Sequence, residues 1–93
     1  MTTTQSMLRM PALKVRTGRG RSTNYHDIAR GLMVPPVAMG DRCATWPSDE
    51  VDRIIAARIA GRSDDEIRQL VRDLVAARRT ADTDSEHRAR APP

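Results

Sequence analysis

Six consecutive residues, Arg21, Ser22, Thr23, Asn24, Tyr25 and His26, carry side chains that can hydrogen-bond to nucleic acid. An arginine fork fits the O6 and N7 edge of guanine, an asparagine amide fits adenine, and serine or threonine hydroxyls reach bases or phosphates. Arg19, just before the run, suits a phosphate, as does Arg21, and His26 can serve as a base contact or phosphate donor. Arg30 follows at the far end of the same segment. Arg42 lies in a Gly40-Asp41-Arg42 turn, from which it could enter a minor groove or touch the backbone. Each residue also has a plain structural use: Ser22 as a helix cap, Tyr25 as a half-buried ring, Arg30 as a solvated charge.

The residues that could do other chemistry do not assemble into a catalytic set. Gly18-Arg19-Gly20 lacks the flanking strand and the Lys-Ser/Thr ending of a phosphate-binding loop. Asp64-Asp65-Glu66 reads as helix-capping acid, because neighbouring side chains on a helix diverge and cannot share a metal. His26 has no orienting partner to make it a general base. Cys43 is the single cysteine, so no intramolecular disulfide forms, a reducing cytosol fits, and it reads as a small packed hydrophobe. With His26 and His87 far apart there is no zinc spacing. No enzyme, metal or cofactor is expected.

The distribution of charge agrees with a polyanionic partner. The 93 residues carry 16 basic and 12 acidic groups, a net of +4. Residues 1–46 hold seven basic groups (Arg9, Lys14, Arg16, Arg19, Arg21, Arg30, Arg42) against Asp27 and Asp41, a net of +5. Residues 47–80 balance at seven of each sign, and residues 81–93 carry three acids against two arginines. The positive field therefore belongs to the half that contains the polar run. All but one of the basic residues are arginine, which suits phosphate and guanine and equally suits a GC-rich coding sequence. The N-terminal stretch has no apolar run long enough for a signal peptide or a membrane span, and a bacterial cytoplasmic, nucleoid-associated location is expected.

These groups need elements to hold them. One small domain is expected from this length. Residues 1–6 read as a flexible tail. Over 7–17, Pro11 suits the first turn of a short helix, with Leu8, Met10, Leu13 and Val15 as apolar contacts. Residues 18–21 read as a turn. Ser22 reads as the cap of a second helix, Ser22 to Arg30, closed by Gly31. Its inner side is expected at Tyr25, Ile28, Ala29 and Leu32, with Thr23, Asn24, His26, Asp27 and Arg30 outward. Two short helices joined by a glycine-containing turn make a helix-turn-helix pattern. After Pro35-Pro36, Val37–Met39 and Cys43–Trp46 read as the strands of a hairpin, a wing over 36–46, with Trp46 packed in the core. Ser48 reads as the cap of a third helix with an apolar stripe at Val51, Ile54, Ile55 and Ile59, closed by Gly61. Ser63 to Glu66 forms a capping box for a fourth, amphipathic helix within 62–79, with Ile67, Leu70, Val71, Leu74 and Val75 on one face. That face either folds onto the same core or docks on a neighbouring copy. Residues 80–93 read as a disordered tail. The fold class expected is mainly α with a small β-hairpin: a winged helix-turn-helix plus a C-terminal amphipathic helix.

Thr17-Gly18, Arg21-Ser22-Thr23-x-Tyr25, Ile28-x-x-Gly31, Pro36-Val37-x-Met39-Gly40, Trp46 and Ser48-x-Glu50-Val51 occur in this order. The stretch from about 8 to 61 that contains them resembles the AlpA-type prophage regulators, which group with excisionases in the MerR-like winged-helix superfamily. The resemblance implies a recognition segment at Arg21, Ser22, Thr23 and Tyr25 set in the major groove, and a wing tip at Gly40 to Arg42. Two positions depart from the pattern: Asn24 stands where an apolar residue is usual, and His26 where a basic or small polar one is.

Three functions follow as expectations. The first is an excisionase, a recombination directionality factor: a double-stranded-DNA-binding protein whose copies associate side by side and bend a site for a separate integrase of the tyrosine or serine recombinase type. The second is a transcriptional regulator of a prophage or integrative element. The third, from a different class, is a protein-interaction module in which residues 63–79 matter and the basic half is incidental.

Overall fold

The structure, a computed structural model, describes residues 6–89, with side chains described for residues 6–79. The chain forms β1 (Met7–Leu8), α1 (Met10–Thr17), α2 (Arg21–Ala29), β2 (Val37–Ala38), β3 (Ala44–Pro47), α3 (Ser48–Ile59) and α4 (Asp64–Ala89). The fold is mainly helical with a small antiparallel sheet, and this is compatible with a winged helix-turn-helix.

The expected hairpin is present as β2 and β3, paired Val37 to Thr45 and Ala38 to Ala44. A third strand was not expected. Residues 7 and 8 are not the start of α1. They form β1, which pairs with the other side of β3, Met7 to Pro47 and Leu8 to Trp46, giving the order β1-β3-β2. Ser6, placed in a flexible tail by the sequence, is tied down as well. Its N–H donates to Ser48 Oγ at 2.8 Å, and Ser48 N–H donates to the Ser6 carbonyl at 2.7 Å. The rest of that expected tail, residues 1–5, lies outside the described residues.

The core is built as the periodicity requires. Leu8, Leu13, Leu32, Met33, Val34, Trp46, Val51, Ile54, Ile67, Val71 and Leu74 are buried together. Trp46 is fully buried and its indole N–H donates to the Val34 carbonyl at 3.1 Å, so its one polar group is satisfied. Of the two readings of the fourth helix, fold-back is the one observed: Ile67, Val71 and Leu74 lie in the chain's own core. The capping box forms, with Ser63 N–H donating to Glu66 Oε1 and Glu66 N–H to Ser63 Oγ, both at 3.2 Å.

Several boundaries and faces differ from expectation. Helix α2 begins at Arg21 with Gly20 as its cap, so Ser22 lies inside the first turn. Helix α3 begins at Ser48 with Pro47 as its cap, and the Ser48 hydroxyl accepts from Ser6, just before β1, instead of capping its own helix. Ile59 ends the apolar stripe of α3 but is 81% exposed, and Val15 on α1 is likewise outside, because neither has an element beyond it to pack on. Helix α4 continues past residue 79 to Ala89, across ten residues expected to be disordered; residues 90–93 of that tail lie outside the described residues.

Long-range polar contacts lock the helices. Arg78 of α4 meets the nearly buried Glu50 of α3, its Nε 3.1 and 3.0 Å from the two carboxylate oxygens. Arg16 of α1 reaches Asp52 of α3 at 2.6 Å, both half exposed. The first of these matters more, because removing one partner of a buried pair costs about 3–5 kcal/mol, whereas exposed pairs are worth about 1 kcal/mol or less.

Candidate nucleic-acid interface

Helix α2 starts where Gly18 ends α1. Gly18 takes the left-handed conformation (φ 70°, ψ 16°) that glycine adopts without strain, and this reverses the chain so that α2 sets out across α1. The first N–H groups of α2 have no side-chain cap, so they keep their partial positive charge at the surface.

The side chain of Arg21, the first residue of α2, lies over the Tyr25 ring, its guanidinium carbon 5.4 Å from the centroid. Tyr25 is 38% exposed and meets buried Trp46 edge to face, centroids 6.1 Å apart at 68°. A rigid stack thus runs from the core to the surface and holds the guanidinium in place. Arg42 sits at the wing tip in a left-handed conformation (φ 58°). Between α2 and the wing is a cleft of about 500 Å³ lined by Arg9, Met10, Pro11, Arg21, Tyr25, Arg42, Ala44 and Trp46. Three arginines and no carboxylate line it.

Arg9 was not singled out as a site residue from the sequence. It comes immediately before α1, and only the pairing of β1 with β3 carries it beside Arg21 and Arg42. Its one signal in the sequence is a basic residue ahead of Pro11.

The other predicted residues divide by orientation. Ser22, Thr23 and His26 are exposed on α2, on the open side of the helix. Asn24 is not. It is fully buried, and its amide nitrogen donates to the carbonyls of Arg19 and Gly20, both at 3.0 Å. The amide fastens the turn before α2 to its first turn, and cannot reach a base. Asn24 occupies an inward slot of α2, and its polarity is why it was placed among the outward residues. Asp27, also expected outward, is buried as well and lies 3.3 Å from Arg19 Nη1. Arg19 is therefore partly neutralised, although its side chain remains 42% exposed. Arg30 is exposed at the opposite end of α2, where its carbonyl accepts from Arg68 Nε at 2.9 Å. It does not join the cleft.

Among the described residues there is no group of three or more His, Cys, Asp or Glu side chains able to hold a metal ion, and no helix is long and apolar enough to cross a membrane.

No protein-family model matches the chain, and no solved structure matches it. Among curated proteins it is 38% identical over 60 residues to the uncharacterized protein ORF88 of Enterobacteria phage P4, an alignment that covers 64% of this chain and 68% of the phage protein. The chain belongs to the family of that phage protein. Membership gives a phage-encoded relative, and thereby a mobile-element context, for a small mainly helical protein with an arginine-lined cleft.

Proposed function

We propose that this protein is a non-catalytic, sequence-specific binder of double-stranded DNA that acts as an excisionase, assisting an integrase in the excision of a mobile genetic element. The observation that carries the reading is the cleft in which Arg9, Arg21 and Arg42 converge from three different elements with no acid among the lining residues. An arginine cluster of this kind matches phosphate oxygens. The uncapped N-terminus of α2 points the same way, because its N–H groups favour an anion.

On this reading Ser22, Thr23 and His26 face base edges in the major groove. Arg21, braced on Tyr25, takes a phosphate or a guanine. Arg42 tracks the backbone toward the minor groove, and Arg9 closes on the strand between them. Arg19 contributes what charge Asp27 leaves it, and Arg30 adds to the general field. Copies bound side by side share the elastic cost of bending the site, several kcal/mol. The phage-encoded relative supports a mobile-element role over a housekeeping one.

The test is an excision assay with the cognate integrase of the element. Excision is expected to require the protein and to fall in Arg21→Ala and Arg42→Ala. Equal excision without the protein rejects the role, and full DNA affinity in both variants rejects the docking geometry. A promoter reporter in the same strain detects transcriptional regulation through the same surface.

A further inference from the structure

The span 30–36, which joins α2 to β2, belongs to neither helix nor strand, yet Leu32, Met33 and Val34 within it are buried. Carbonyls outside helix and strand need donors, and here side chains from later in the chain supply them. Arg68 Nε donates to the Arg30 carbonyl at 2.9 Å, Trp46 Nε1 to Val34 at 3.1 Å and Arg78 Nη2 to Pro35 at 2.9 Å. Arg58 Nη2 of α3 adds a longer bond to the Leu32 carbonyl, at 3.5 Å, so two of these four donors come from α4.

Arg78 is the most constrained of them. Its Nε lies 3.0–3.1 Å from both oxygens of Glu50, so the guanidinium is fixed in a plane between α3 and the start of the wing. Pro35 is two residues before β2. The two-residue strand itself has little ladder with which to set its own direction.

We propose that Arg78 is a positioning residue for the wing: by holding the Pro35 carbonyl it sets where β2 leaves the core, and so where Arg42 stands relative to Arg21. Arg78 lines a different cleft from the three arginines and does not touch DNA. Its effect on DNA affinity rests on the reading under Proposed function; its effect on the wing does not.

Cys43 provides a readout without DNA. It is the single cysteine, half-buried, and it closes the wing turn, with its carbonyl accepting from Met39 N–H at 2.8 Å. The test variant is Glu50→Leu with Arg78→Met, which removes both charges together so that neither is left buried and unpaired, while Pro35 loses its donor. Asp52→Asn removes an acid of the same helix from a half-exposed pair and keeps Glu50, Arg78 and the bond to Pro35. An Ile54→Val or Ile54→Ala core variant, whichever matches the double variant in melting temperature, controls for stability.

The reaction rate of Cys43 with a disulfide reagent is expected to rise at least about tenfold in the double variant, the scale of local opening that one hydrogen bond from a charged donor restrains. Asp52→Asn and the Ile54 control are expected to stay within about twofold of the native protein. On a labelled mixed-sequence duplex of about 30 base pairs, the double variant is expected to lose as much affinity as Arg42→Ala, and combining the two is expected to lose no more, because both act through one contact. An unchanged Cys43 rate in the double variant, an equal rise in the Ile54 control, or losses that multiply with Arg42→Ala would each overturn the assignment. If the native protein binds no duplex, the proposed function fails while the Cys43 rate still decides the positioning.

Discussion

Removing the charge of Arg42 should change the salt dependence of DNA binding by a calculable amount. Each phosphate neutralised on duplex DNA contributes about −0.9 to the slope of log K against log salt. If each of the three cleft arginines engages one phosphate, the cleft supplies a slope of about −2.7, so raising salt fourfold weakens its share of binding about 40-fold. Arg42→Ala leaves two contacts, a slope of about −1.8 and a loss of about 12-fold over the same range. The ratio of native to variant affinity should therefore shrink about 3.5-fold between 50 and 200 mM salt. Fluorescence anisotropy on a labelled duplex at four or five salt concentrations measures it. Arg9→Ala is the sharper variant, since sequence alone gave no reason to place it beside the others, and it should flatten the slope as Arg42→Ala does. Slopes unchanged in both variants would refute the claim that the cleft holds the strand, whatever happens to affinity at a single salt concentration.

Two further outcomes are expected. Asn24→Ala removes two buried hydrogen bonds to the Arg19 and Gly20 carbonyls. It should cost about 1–3 kcal/mol and lower the melting temperature by at least about 4 °C, while the base preference of the folded protein stays the same; relaxed specificity at native stability would mean that Asn24 reads DNA after all. The Glu66 carboxyl is held below the usual carboxylate value, first by the Ser63 backbone N–H and then by the Ser63 hydroxyl, with Arg62 adding attraction. A lowered carboxylate contributes stability that is present above its unfolded value and lost as pH falls through its folded one. Glu66→Gln should therefore melt below the native protein at pH 7, and the gap should close in acid below the usual carboxylate range; a gap independent of pH, followed by circular dichroism, would contradict this.

What the sequence disclosed depended on how far apart the partners stand. The capping box at Ser63 and Glu66 spans three residues, and the stripes of α3 and α4 repeat every three or four, so both were readable and both formed, with Ile59 alone left outside. Strand β1 was not readable, since two residues show no period, and it exists because β3 has a free edge. The buried side of α2 was misread by one position. Asn24, Asp27 and Ile28 keep the spacing of an inward stripe as well as Tyr25, Ile28 and Ala29 do. Polarity argued for the second set, yet the Asn24 amide nitrogen is satisfied by two carbonyls, while its oxygen is buried without a partner.

The cleft itself follows from a different kind of contact. Arg9, Arg21 and Arg42 are separated by 12 and 21 residues and share no motif. They converge only because β1 adds to β3, Tyr25 rests on Trp46, and the span before the wing is anchored by side chains of α4. The Arg78–Glu50 pair, 28 residues apart, was equally invisible in the sequence. Charge counting placed the positive field in the first half of the chain, where the three cleft arginines lie, while the span leading into the wing takes donors from the second half. A truncation of α4 before Arg78 would leave every cleft residue in place in the sequence and remove the donor to the Pro35 carbonyl, so the cleft and α4 form one structural unit and not a domain with an appended helix.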